Sequence, residues 1–246
     1  MINLKAKPRE IGSILIFLMI AIPLFAQQSG LKSTDYNKSQ YYIEMRDGVK
    51  LYTTVYSPKD MSDNYPILMT RTLYSCAPYG EEDIPDNIIR NPDIQSEGFI
   101  IVCQDVRGRW MSEGQYTTMT PNRSDENLVD ESSDTYDTIE WLINNIPNNN
   151  GKVGQWGISY PGFYTTAALP DAHPALVASS PQAPIADFFF DDFHHHGAYT
   201  LGYWYVTNLF GLQHDGPTDT AWYNFPQVFT NDMYLLYSEL TPLSRS

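Results

Sequence analysis

Apolar and polar positions change their spacing several times along this chain, and each change marks an element. Residues 41–45 and 49–56 are β-rich segments on either side of Arg46-Asp47-Gly48, and Asp-Gly is a strong short-range hairpin signal. An antiparallel hairpin is therefore expected to open the domain. Residues 66–72, 99–104 and 153–156 are short, nearly continuous apolar runs of the kind found in strands buried on both faces. Between the second and third of these runs, Tyr136, Ile139, Leu142, Ile143 and Ile146 recur at helical spacing, which predicts a helix over 132–146. Ser132, Ser133 and Asp134 can cap its start, and Pro147 with Asn148-Asn149-Asn150-Gly151 stops it. A second helix is predicted over 163–169, directly after the third run. Strand, helix, strand, helix is the alternation of an α/β sheet with helices on both faces.

The pattern breaks down at the two ends. Residues 27–39 read as a polar stretch, and from about Ile185 the chain turns to aromatic clusters such as Phe188-Phe189-Phe190 and Tyr203-Trp204-Tyr205. That second region reads as a cap-like insertion over 185–246, incomplete where the sequence stops. At the other end Lys5, Lys7 and Arg9 precede an apolar run from Ile14 to Phe25 that closes on Ala26. Residues 1–26 thus read as a secretory signal peptide, because the run is too short to span a bilayer. No stable membrane anchor is expected after cleavage, and the mature protein is expected to be periplasmic or secreted.

Of the 246 residues, 29 are acidic and 15 basic, and the net charge of -14 argues against nucleic acid as a partner. A small-molecule or peptide substrate suits the composition better; oligomerisation stays open. Cys76 and Cys103 can form a disulfide in an exported protein, or Cys103 can be a buried thiol that extends an apolar run. His194-His195-His196 beside Asp191-Asp192 invites a metal reading, but consecutive side chains diverge and cannot easily converge on one ion. No metal and no cofactor are expected.

The most informative segment is Gly154-Gln155-Trp156-Gly157-Ile158-Ser159-Tyr160-Pro161-Gly162, which sets a serine between a buried strand and a helix. A nucleophile elbow has this context, since a tight, strained turn projects the hydroxyl over the end of the strand and small neighbours avoid collision. Glycine usually stands two residues after the serine. Here Pro161 takes that place and Gly162 follows, a departure a first helical turn can tolerate.

Gly157-Ile158-Ser159-Tyr160-Pro161-Gly162, Asp105-Val106-Arg107-Gly108-Arg109-Trp110-Met111-Ser112-Glu113-Gly114 and Arg71-Thr72-Leu73-Tyr74 together resemble the cocaine esterase-like (CocE/NonD) and X-prolyl dipeptidyl-peptidase family of serine hydrolases. The likeness runs from about Tyr42 onward. Asp171-Ala172-His173-Pro174-Ala175-Leu176 and Asp191-Asp192-Phe193-His194 are similar to the α-amino acid ester hydrolase and glutaryl-7-aminocephalosporanic acid acylase branch. The resemblance implies the N-terminal part of an α/β-hydrolase domain over 40–184, with an incomplete sheet and the start of a helical cap. It also implies Ser159 as nucleophile, and the Tyr160 backbone N–H with the Tyr74 hydroxyl as oxyanion donors. Asp192, or its neighbour Asp191, would hold a substrate ammonium group. Arg107 and Arg109, in a loop rich in acids, are expected to serve structure.

A serine of this type needs a base, and in the α/β-hydrolase order the acid and histidine follow it. His173 is too close in sequence, and His194, His195, His196 and His214 sit in the cap-like region. The chain is therefore expected to be the N-terminal portion of a longer ester or amide hydrolase, inactive alone. A general carboxylesterase, or a ligand-binding protein on a hydrolase scaffold, are the alternatives.

Overall fold

The computed structural model describes residues 30–122, 129–200, 210, 215–220 and 232–239. The segment read as a signal peptide and His214 lie outside them. Six strands form one sheet: β1 (Tyr36–Glu44), β2 (Lys50–Pro58), β3 (Tyr65–Thr72), β4 (Ile100–Asp105), β5 (Asn149–Ile158) and β6 (Leu176–Gln182). Their order across the sheet is β1-β2-β4-β3-β5-β6. The first two pairings are antiparallel, and β4 with β3, β3 with β5 and β5 with β6 run parallel.

The hairpin forms as the Asp-Gly signal predicts, with Gly48 at a φ of 85° closing the turn. β1 nevertheless starts at Tyr36, inside the stretch read as polar, because Tyr36 and Lys38 are buried despite their polar ends. The Tyr36 hydroxyl donates to the Gln95 carbonyl, and the Lys38 ammonium donates to the carbonyls of Pro78 and Asp83. β5 likewise begins in the asparagine run read as a helix stop, and β6 was not anticipated at all.

Helix α1 (Pro92–Ser96) is one short turn, α2 (Glu131–Asn145) covers one face of the sheet and α3 (Tyr160–Ala167) follows β5 after the single residue Ser159. Ile139, Leu142 and Ile146 pack on Ile67, Met69, Ile100, Val102 and Val153. The opposite face is covered by the segment before β4, where Ile89 and Ile94 meet Tyr36, Tyr56 and Ile101.

The cap of α2 differs from the sequence expectation. Asp130 is the N-cap: its carboxylate accepts the Ser133 N–H at 2.8 Å, and Ser133 Oγ accepts the Asp130 N–H at 2.9 Å. Ser132 and Asp134 belong to the first turn. Asp130→Ala should cost about 1 kcal/mol, seen as a lower urea midpoint at unchanged slope.

That first turn also seals a buried polar layer. The fully buried Arg71 donates to Gln104 Oε1, to the Glu131 carboxylate and to Thr135 Oγ1, each at 2.8–3.0 Å. Arg107 pairs with Asp47 and Asp134 at 2.7 Å, tying the hairpin turn to α2, as the structural reading of this residue required. Arg109 serves structure by another route, lying over the Tyr116 ring at 3.7 Å and donating to the Phe210 carbonyl.

Beyond Ile185 the described residues form a π-helical turn (Phe189–Phe193), a short hairpin of β7 (His194–His195) with β8 (Ala198–Tyr199), and α4 (Met233–Glu239). No helix among the described residues is long and apolar enough to cross a membrane.

Candidate active site

β5 delivers Ser159 to the start of α3 with φ 62° and ψ −123°, a region L-residues occupy only where the surroundings enforce it. Its backbone is pinned on both sides, for its N–H donates to the Gln182 carbonyl of β6 at 2.9 Å and its carbonyl accepts the Phe163 N–H at 3.1 Å. The neighbouring glycines have steric causes. A Cβ on Gly157 would lie 2.2 Å from the Pro161 carbonyl oxygen, and one on Gly162 would lie 2.8 Å from the Gln182 carbonyl oxygen. The second glycine is therefore demanded by the approach of β6 to α3, at position 162. Pro161 sits in the first helical turn, where its missing N–H has no helical acceptor to lose.

Tyr160 opens α3, and its backbone N–H belongs to the group of helix-start donors that have no carbonyl partner within the helix. The partial positive charge of the helix start favours an anion there. Its side chain does different work. Fully buried, the ring packs with Phe163, Tyr164, Phe188 and Phe210, while its hydroxyl accepts the Tyr116 O–H at 2.9 Å and the Met119 N–H at 2.8 Å. Burial among these rings pushes the phenol far above its ordinary pKa, so it stays neutral.

Tyr74 lies two residues beyond β3 and is 38% exposed. It shares with Ser159 the lining of a cavity of about 500 Å³, walled also by Tyr56, Ile88, Ile89 and Trp156. The structure thus brings the expected nucleophile, Ser159, and one expected oxyanion donor, Tyr74, to the same space. Cys76 and Cys103 line that space too, joined as a disulfide with Cα atoms 5.7 Å apart. The pairing decides between the two readings left open for these cysteines.

Asp191 and Asp192 do not line the cavity. Asp191 is committed to its own turn, where its carboxylate accepts the N–H groups of Ala186 at 2.7 Å and Asp187 at 2.9 Å. Those two hydrogen bonds hold its pKa below the usual carboxylate value. Asp192 follows in the π-helical turn, which is anchored by Phe188 stacked on Phe193 and set against the Tyr160 ring.

Among the described histidines none lines the cavity. His173 has both ring nitrogens engaged: Nδ1 accepts the Ala175 N–H at 3.0 Å, so Nε2 carries the proton and donates to Glu140 at 2.8 Å. His194 stacks on Phe189 with ring centroids 3.9 Å apart, and His195 packs edge-on against His196. Among the described residues no group of three His, Cys, Asp or Glu side chains is placed to hold a metal ion.

A buried acid outside the expected site residues holds the segment that follows Tyr74. Asp105, at the end of β4, is fully buried, and its carboxylate accepts three hydrogen bonds, from the Cys76 N–H, the Tyr79 hydroxyl and the Met111 N–H. In the sequence it shows as the carboxylate that closes an apolar strand and opens the Asp105–Gly114 motif.

Comparison with known proteins agrees with this geometry. The chain is 29% identical over 154 residues to cocaine esterase of Rhodococcus sp. (strain MB1 Bresler), a match covering 61% of this chain and 24% of that protein. Among solved structures it is similar to an α-amino acid ester hydrolase (39% identity, TM-score 0.65), over 76% of this chain and 32% of the other. It is also similar to an aminopeptidase from a marine sediment archaeon, Thaumarchaeota archaeon (34% identity, TM-score 0.70), over 83% and 34% of the two chains. The chain therefore spans about a quarter to a third of the length of these relatives. The family model for X-Pro dipeptidyl-peptidase (S15 family) matches residues 47–231, well over half of the sequence. With its elbow serine, its sheet order and that match together, this chain belongs to the X-Pro dipeptidyl-peptidase (S15) family.

Proposed function

We propose that the chain is the nucleophile-bearing part of an exported serine hydrolase that cleaves an ester or amide through an acyl-enzyme on Ser159. The observation that carries this reading is the left-handed backbone of Ser159 at the β5–α3 junction, beside the cavity it shares with Tyr74. Attack by Ser159 Oγ on the carbonyl carbon forms the C–O bond and moves charge to the carbonyl oxygen. The Tyr160 N–H and the Tyr74 hydroxyl then donate to that oxygen, and collapse of the intermediate expels the alcohol or amine. The proton leaving Ser159 goes to a histidine supplied elsewhere in the complete enzyme, none of the described histidines being suited to it, and passes from there to the departing alcohol or amine. Water, deprotonated by the same histidine, then attacks the acyl-enzyme, and Ser159 leaves with that proton as the acid is released. Export is supported by the Cys76–Cys103 bond, since disulfides persist in oxidising compartments.

The substrate class we infer carries a free α-ammonium group, and Asp192 is the residue we assign to it. The substrate class is suggested by the solved structure 39% identical to this chain, which is named an α-amino acid ester hydrolase. Asp191 is set aside because its carboxylate already accepts two backbone N–H groups of its own turn. A second reading, a general carboxylesterase, is favoured by the aromatic and aliphatic walls of the cavity and by the absence of both aspartates from its lining.

One comparison separates them. In the complete enzyme Asp192→Asn should cost about 2 kcal/mol, roughly thirtyfold, in kcat/KM for α-amino esters, and nothing for analogues lacking the amino group. Equal losses on both substrates would hand the site to the carboxylesterase reading. No hydrolysis by the wild-type enzyme of either ester or of the corresponding amides would end the hydrolase reading itself.

A further inference from the structure

Tyr74 stands on a loop, so its hydroxyl is aimed only as well as that loop is held. The holding groups come mostly from β4 and the turn after it. The Leu73 carbonyl accepts the Trp110 indole N–H at 3.0 Å, and the Tyr74 N–H donates to Thr72 Oγ1 at 2.9 Å. Further along, Cys76 is joined to Cys103 of β4, and its N–H donates to Asp105 Oδ1 at 2.8 Å. The Tyr79 hydroxyl donates to Asp105 Oδ2 at 2.9 Å and receives the Ser75 hydroxyl at 3.0 Å. Met111, on the turn after β4, reaches the same Oδ2 with its N–H at 3.3 Å.

Asp105 is thus the residue through which Cys76, Tyr79 and the β4 turn are bound to one another. Burial pushes its carboxyl up to about 7, against the pull of the three donors. A carboxylate in such a place is costly, and a neutral side chain would fill it more cheaply if only packing were needed.

We propose that Asp105 is a positioning residue for the reaction, which acts through the Tyr74 loop by fixing Cys76 and Tyr79 so that the Tyr74 hydroxyl meets the forming oxyanion. The proposal rests on the reading of Tyr74 as an oxyanion donor. It assigns Asp105 no contact with substrate. Asparagine at 105 keeps one acceptor but turns an N–H₂ toward donors, so the grip on the loop loosens without removing the side chain's volume.

The test is a double-mutant cycle in the complete enzyme, with kcat and KM measured on one ester. Asp105→Asn and Tyr79→Phe are each made alone and in the Tyr74→Phe background. Each alone should lower kcat by about tenfold or more with KM within about twofold. In the Tyr74→Phe background each should lower kcat by less than about twofold further, because the donor they position is already gone. Losses that multiply unchanged into that background, or single variants with unaltered kcat, overturn the proposal and leave Asp105 a fold residue. A silent Tyr74→Phe is a different failure, since it removes the oxyanion reading and the proposal with it. If Asp105→Asn does not accumulate folded, the Tyr79→Phe arm decides alone, because that variant deletes one hydroxyl and keeps the ring.

Discussion

Replacing Ser159 by alanine in the complete enzyme is expected to lower kcat by a factor on the order of 10⁵ or more, to the background of the ester assay. In the proposed mechanism the hydroxyl oxygen forms the new bond to the acyl carbon, and alanine offers no atom in its place. The variant should fold as the wild type does. Alanine meets the same backbone strain at φ 62° as serine, it is smaller, and the hydrogen bonds that pin position 159 to Gln182 and Phe163 are made by the backbone. A thermal transition within about 2 °C of wild type should accompany the loss. Retained turnover in a folded Ser159→Ala protein would move the nucleophile elsewhere, and mass spectrometry of the trapped wild-type acyl-enzyme should place the added mass on Ser159.

Tyr74→Phe is expected to reduce kcat by about a hundredfold or more while KM changes much less. The asymmetry follows from the role proposed for the hydroxyl. A neutral carbonyl oxygen in the bound substrate accepts only a weak hydrogen bond, whereas the oxyanion of the transition state gains a strong, charge-assisted one. Removing the donor therefore raises the barrier and hardly touches binding. With 38% of the residue exposed, the ring is not a core element and phenylalanine should be accommodated. An unchanged kcat would return Tyr74 to the packing residues; a rise in KM alone would make it a substrate contact without an oxyanion role.

The elements that could be read from the sequence are those whose burial writes a pattern. Ile139, Leu142 and Ile146 lie on one helical face because one face meets the sheet, and the apolar runs of β3 and β4 are continuous because both faces are covered. β6 gives no such signal: Val177 is 62% exposed, Pro181 interrupts it, and the strand is identified by its pairing with β5 alone. The first half of β1 was hidden for the opposite reason, since Tyr36 and Lys38 are buried by satisfying their polar tips on distant carbonyls. At the site, Ser159 was legible because a strand-to-helix turn with small neighbours is a local event. Asp105 stood out only as the start of a motif, because the role proposed for it depends on Cys76 and Tyr79, 29 and 26 residues earlier, reaching it in space. The displaced glycine belongs to the same class: position 162 answers to a carbonyl of β6, a strand the local pattern does not reveal.

The Cys76–Cys103 bond has a consequence beyond the cavity it borders. It closes a segment with a sequence separation of 27, which includes α1 and the apolar contacts that cover one face of the sheet. In the chain-entropy account a closure of this size disfavours the unfolded state by about 3.5 kcal/mol. Within the closed segment, residues 80–87 carry no regular secondary structure and several exposed side chains, the kind of stretch that proteases nick. A cut there would open the backbone without parting the fragments, for Tyr74 would stay on the piece still bonded to β4. Under the export proposed above, a clip at this edge would leave the two halves as one molecule.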